Sequence, residues 1–166
     1  MLTLLGTSCN QFESFTNFII RYEQDAKIES STGINLPFNL NTPQMETNAE
    51  QEFESNNTHK DKIESIALDS LKLVLTDPAG EDFSFLEEIT IYIKAEGLDE
   101  VEIAKKIPVP ESTSNTLVLD CTQLDLQEYI KMDNFSLRLR TVTDELITKD
   151  HYFTIYSVYS VDAKLN

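Results

Sequence analysis

The chain has 166 residues, 29 acidic against 13 basic, for a net charge of −16. That length is one ordinary domain, able to bury a core without disulfide staples. The acidity, with only Arg21, Arg138 and Arg140 scattered along the chain, argues against a nucleic-acid partner, because phosphate binding needs clustered Lys and Arg.

Met1 to Cys9 reads Met-Leu-Thr-Leu-Leu-Gly-Thr-Ser-Cys, an apolar stretch, then small residues, then cysteine. This order matches the tail of a bacterial lipoprotein signal, in which Cys9 is acylated and becomes the mature N-terminus, with the basic n-region expected upstream of Met1. The alternative reading of 1–9 is a disordered or β-edge terminus. No stretch approaches the roughly 18 apolar residues of a membrane-spanning helix, so the expected membrane contact is the lipid anchor alone, with residues 10–166 as a single soluble domain.

Phe18, Ile20 and Tyr22 alternate with polar neighbours and predict a first strand over 15–28. Residues 34–54 are polar and broken by Pro37 and Pro43, which suits edge strands or a covering loop. From Ile63 a strand runs to Thr76; Ile66 and Leu68 share one phase and Leu71, Leu73 and Leu75 the other, so a β-bulge is expected at Asp69-Ser70. Asp77-Pro78-Ala79-Gly80 is a turn. Ser84 and Glu87 have capping-box spacing, predicting one helical turn. Ile89, Ile91 and Ile93 then alternate with Thr90, Tyr92 and Lys94, and Val101, Ile103 and Ile107 form a strand ending at Pro108.

The strand at 115–121 places Leu117, Leu119 and Cys121 on one face, making Cys121 a buried free thiol; a Cys9–Cys121 disulfide is the alternative. Asp125 and Glu128 have N-cap and N3 spacing, and Leu124 and Tyr129 the spacing of a hydrophobic staple, so a short helix is expected there. Phe135, Leu137 and Leu139 define a strand, and a turn at Asp144-Glu145 joins it, as a hairpin, to a last strand carrying His151, Phe153 and Ile155 inward. About eight strands and two short helices give an all-β fold, best read as an antiparallel two-sheet sandwich of immunoglobulin-like shape, with a lipocalin-like barrel as runner-up.

No motif for catalysis, metal or cofactor stands out. Glu81-Asp82, Glu87-Glu88, Asp99-Glu100 and Asp144-Glu145 are adjacent carboxylates of turns, not the facing pair a glycosidase needs, and none has the spacing of a calcium loop. No serine lies in a Gly-x-Ser-x-Gly context, His59 and His151 are far apart, and Asp150 and His151 point to opposite faces of a strand. Tyr92, Tyr152 and Tyr156 are the candidate binding residues, as an aromatic platform for a sugar or peptide; the competing reading is cross-strand pairing that stabilises a sheet face.

The run Phe83-Ser84-Phe85-Leu86-Glu87-Glu88-Ile89-Thr90-Ile91-Tyr92-Ile93, followed by Gly97-Leu98 and a Pro-ended strand, resembles the uncharacterised β-sandwich envelope lipoproteins of Bacteroidetes. Asp69-Ser70-Leu71 likewise resembles the O-glycosylation tripeptide of such proteins. The resemblance implies no active site. Because Asn10-Gln11-Phe12 lacks the acidic run that looks like a surface-export signal in that group, it implies a periplasm-facing anchor. The expected function is a lipid-anchored structural or binding module of the cell envelope that binds and does not catalyse. The alternatives are a carbohydrate-binding accessory or hydrolase using Tyr92, Tyr152, Tyr156 and the turn carboxylates, and a cytosolic or phage-derived structural domain.

Overall fold

The computed structural model describes residues 15–30, 35–111 and 114–164, so Cys9 and the rest of the 1–9 segment lie outside the described residues. Period-2 apolar patterning yields strands at Phe15–Ile28 (β1), Ile63–Asp77 (β4), Leu86–Ala95 (β5), Val101–Lys106 (β6), Thr116–Cys121 (β7), Asn134–Thr143 (β8) and His151–Lys164 (β9), with two shorter ones at Phe38–Asn41 (β2) and Met45–Glu46 (β3). Two short helices, Ala49–Ser55 (α1) and Gln127–Ile130 (α2), complete the elements together with a 3-10 turn at Lys60–Lys62. The fold is mostly antiparallel strand, 56% of it, so the all-β class holds.

The strands form one hydrogen-bonded path in the order β1-β9-β4-β7-β6-β5-β8-β2, with β3 also paired to β8. Its narrowest join is between β6 and β7, where only Ala104–Cys121 and Lys105–Asp120 pair. The path curls into a half-barrel. Its far ends meet across the core: the Tyr22 ring on β1 lies edge-on to Phe135 on β8 at 5.1 Å, and its hydroxyl donates to the Thr47 carbonyl beside β3 at 2.9 Å. Inside the curl, Ile20, Leu71, Leu73, Ile89, Ile91, Leu137, Leu139, Phe153 and Ile155 are buried, each stabilising the fold by roughly 1.5–3 kcal/mol.

The bulge in β4 sits where the two apolar phases collide: the register against β9 shifts between Leu68 and Ser70, so Ile66 and Leu68 before it and Leu71 and Leu73 after it all face the core. Five expectations need correction. The capping box at Ser84 forms no helix; the Ser84 amide donates to the Asp82 carboxylate at 2.9 Å, the Leu86 amide to the Phe83 carbonyl, and β5 starts at once. Residues 49–55, expected as edge strand or loop, are helical, because Ala49 and Phe53 are buried four residues apart on one face of α1. Strands β8 and β9 make no hairpin, since β8 pairs with β5, β2 and β3 whereas β9 lies between β1 and β4. Cys121 is half-buried, with Leu117 and Leu119 inward as expected, because it ends its strand at the β6–β7 join.

Helix α2 begins two residues after Asp125, whose carboxylate accepts the amides of Gln127 at 3.1 Å and Ile66 at 3.0 Å. That ties the helix to β4. The staple is absent: Leu124 is exposed, and the Tyr129 hydroxyl instead donates to the Asp99 carbonyl at 2.5 Å.

Candidate functional site

The three candidate tyrosines point away from the core, because each alternates with inward residues of its strand. Tyr152 and Tyr156 share the outer face of β9, with Lys27 of β1 over the Tyr152 ring at 5.8 Å and Lys72 of β4 over the Tyr156 ring at 5.2 Å. Tyr92 is on β5, four steps further along the strand order, so it does not join them in one platform. It lies under the Arg138 guanidinium, at 4.1 Å from the ring centroid. Arg138 in turn donates from Nε to Glu100 at 2.8 Å and from Nη1 to Asn39 on β2 at 2.5 Å. The Arg138 hydrogen bond holds the Glu100 carboxyl below its usual range. Each ring therefore already carries a cation of this chain on or near its face.

His151 opens β9 and is buried, its ring 4.4 Å from that of Phe85. Nδ1 is 2.9 Å from the Lys149 carbonyl and Nε2 is 2.8 Å from Glu81 Oε2. A carbonyl oxygen only accepts, so Nδ1 donates to Lys149. Lys149 also reaches Glu81 at 3.1 Å, and this hydrogen bond, ahead of that from His151, keeps the Glu81 carboxyl below its ordinary value. Asp150, just before the strand, is engaged elsewhere, accepting the Ser30 amide at 2.8 Å and pairing with Lys27. The His151–Glu81 pair was not legible in the sequence because its members are 70 positions apart.

A cleft of about 370 Å³ opens at this corner between the 77–86 turn and the 144–150 connection, lined by Glu81, Ser84, Phe85, Leu146, Ile147 and His151 among others. Ser84 stands in it, but both His151 nitrogens are engaged elsewhere, so the ring has no nitrogen left to take a proton from that hydroxyl. A larger cleft of about 530 Å³ lies at the start of α1, lined by Glu46, Glu50, Glu54, Lys60 and Asp133 among others. No group of three or more His, Cys, Asp or Glu among the described residues has the arrangement of a metal site.

Most of the carboxylate pairs singled out in the sequence serve structure. Asp82 caps the turn before β5, Glu88 pairs with Arg140 at 3.7 Å and Glu100 with Arg138. Glu87 and Glu88 lie in β5, not in a turn. Ser70 is exposed at the β4 bulge, and Asp69 beside it accepts the Ser160 hydroxyl at 2.8 Å.

The sheet's two ends are the remaining surface feature. β2 is four residues between Pro37 and Pro43, whereas β1 pairs with β9 over all fourteen of its residues with no register shift and, among the described strands, hydrogen-bonds to no second strand. These features define a curled, mostly antiparallel β domain with one long and one short end strand. No protein-family model matches the chain, and no curated protein matches it.

Proposed function

We propose that this chain is a cell-envelope lipoprotein, anchored through an acylated Cys9 on the periplasm-facing side of its membrane, whose β domain is a structural or binding module. The observation that carries the reading is the order Leu4-Leu5-Gly6-Thr7-Ser8-Cys9 placed directly ahead of the domain, which begins with β1 at Phe15. Five residues separate Cys9 from β1, a tether of at most about 20 Å, so acylation would hold the domain against the membrane surface. No described helix is long and apolar enough to cross a membrane. Within this reading the curled sheet is a two-layer sandwich of immunoglobulin-like shape, β1-β9-β4-β7 over β6-β5-β8-β2, supported by the two-pair join between β6 and β7.

The test is expression with the native upstream sequence in a diderm bacterium supplied with labelled fatty acid. The wild type should partition into detergent and carry label, and Cys9→Ala should be released unlabelled into the aqueous phase. An aqueous, unlabelled wild type would overturn the anchor.

A further inference from the structure

We propose that the contact between His151 and Glu81 is a one-proton latch, which holds the walls of the cleft at this corner together while the pair carries its proton and lets them part when the proton leaves. This goes beyond the anchoring reading and does not depend on it.

The latch sits where two connections run side by side. The 77–86 turn carries the chain from β4 to β5, and residues 144–150 carry it from β8 to β9. β4 pairs with β9 and β5 with β8, so both connections join the same two strand pairs, and the cleft of about 370 Å³ opens between them. His151 belongs to one wall and Glu81 to the other. His151 is fixed in place: it is buried, it pairs with Ile28 of β1, and its ring packs on that of Phe85 at 4.4 Å. Glu81 stands outside any strand, with its side chain 38% exposed, so it is the side that can swing.

The contact needs a proton. Nδ1 donates to the Lys149 carbonyl, which leaves Nε2 of a neutral ring with only a lone pair, and a carboxylate offers only lone pairs in return. At 2.8 Å, Nε2 and Glu81 Oε2 are a hydrogen bond with one proton between them and two opposed acceptors without it. Lys149, and after it His151, hold the Glu81 carboxyl below its ordinary value, so the proton falls to the ring side of the pair. Its loss turns an attraction into a repulsion at a buried nitrogen, where water screens little.

The other charges at the corner do not replace that proton. From the 77–86 turn, Asp82 accepts the Ser84 amide, and Asp77 ends β4. From the 144–150 connection come Asp144, Glu145, Lys149 and Asp150, and β1 brings Lys27, which pairs with Asp150 and Glu29. The carboxylates favour the charged ring, and both lysines already donate to carboxylates. Lys149 reaches Glu81 Oε1 at 3.1 Å, but its side chain is 64% exposed, so that pair is screened and does not by itself hold the wall.

The experiment is native-state hydrogen exchange of the full chain at about pH 5.5 and 8.5, on either side of the ordinary imidazole range, with each rate divided by the intrinsic rate at that pH. The amides to follow are those of Ser84 and Asp144, which bond to Asp82 and to the Phe85 carbonyl within the corner. Their protection should fall about tenfold at the higher pH while amides of β4 keep theirs, which separates local opening from global unfolding. In Glu81→Gln the carboxamide can accept from a protonated Nε2 and donate to an unprotonated one, so protection should be the same at both pH values. Nitrogen shifts of the ring give the second measurement: both nitrogens should carry hydrogen at the lower pH, and Nδ1 alone at the higher. Equal protection at the two pH values in the wild type, a pH dependence that survives in Glu81→Gln, or an Nε2 without hydrogen at the lower pH would overturn the proposal.

Discussion

Strand β2 closes one end of the sheet with four residues, Phe38–Asn41, set between Pro37 and Pro43, whereas β1 closes the other with fourteen and no interruption. The short end is held on by side chains: Thr42 Oγ1 accepts the buried Leu137 amide at 2.9 Å, and Asn39 receives Arg138 of β8. The long end is held by its ladder to β9 and by aromatic packing, with Phe53 of α1 against Phe18 at 6.2 Å and Tyr22 against Phe135 and Tyr159. Two edges of one sheet thus solve opposite problems. β2 has too few ladder bonds to stay without anchors, whereas β1 is held along its whole length by one partner strand.

The sharpest way to break the comparison is Phe53→Ala. Phe53 is fully buried and is the only aromatic through which α1 covers β1, so its loss removes the packing that the long edge relies on. Denaturant unfolding should show a loss of about 3–5 kcal/mol. A loss under about 1 kcal/mol would mean that α1 does not support β1. At the short edge, Thr42→Val keeps the shape and removes the acceptor of a buried amide, and should cost about 1–3 kcal/mol in the same measurement.

Tyr22 joins the two ends, and Tyr22→Phe, which strands only the Thr47 carbonyl, should cost about 1 kcal/mol. Its pH dependence sharpens the point. Burial, with Tyr159 and Glu52 nearby, pushes the Tyr22 phenol above its usual value near 10, and burial does the same for Tyr159. A group whose pKa is raised on folding contributes stability that is complete below its unfolded value and is lost as pH climbs toward the folded one. Wild-type stability should therefore fall steeply above about pH 10, and the fall should be shallower in Tyr22→Phe. Equal slopes would place the Tyr22 hydroxyl in water.

Much of this contrast was legible in the chain. The bounds of β1 follow from its own alternation, the β4 bulge from the phase change at Asp69-Ser70, and the weakness of β2 from its two prolines. Those signals are local, carried by period and by the geometry of single residues. Partnership is not local. That β8 would pair with β5 and β2 and leave β9 to lie between β1 and β4 depends on burial across the whole sheet, and the short turn at Asp144-Glu145 suggests a hairpin because nothing nearby contradicts one. Helix α1 escaped for a related reason, having only Ala49 and Phe53 as inward anchors, too few to outweigh the alternation of Met45, Thr47 and Ala49. The contacts that give the tyrosines and His151 their surroundings, Arg138 on Tyr92 and Glu81 on His151, join residues that only the folded chain brings together.

The smallest expected effect lies at the short edge, in Glu100→Gln. Glu100 orients Arg138, which covers Tyr92 and reaches Asn39, so the carboxylate steadies β2 through another residue. The pair is about a quarter exposed on each side, and solvent screening limits its worth to less than about 1 kcal/mol at neutral pH. The sign is set by the lowered Glu100 carboxyl: a pKa depressed on folding contributes stability that is present above the unfolded value and vanishes as pH falls through the folded one. Wild type should therefore exceed Glu100→Gln slightly at about pH 7, and the gap should close in acid as Glu100 takes up its proton. Hydrogen exchange at the β2 amides gives the local readout, with faster exchange expected in the variant at neutral pH and no difference once the carboxyl is neutral. A gap that persists in acid would show that the substituted amide itself disturbs packing, and that the short edge does not depend on this charge.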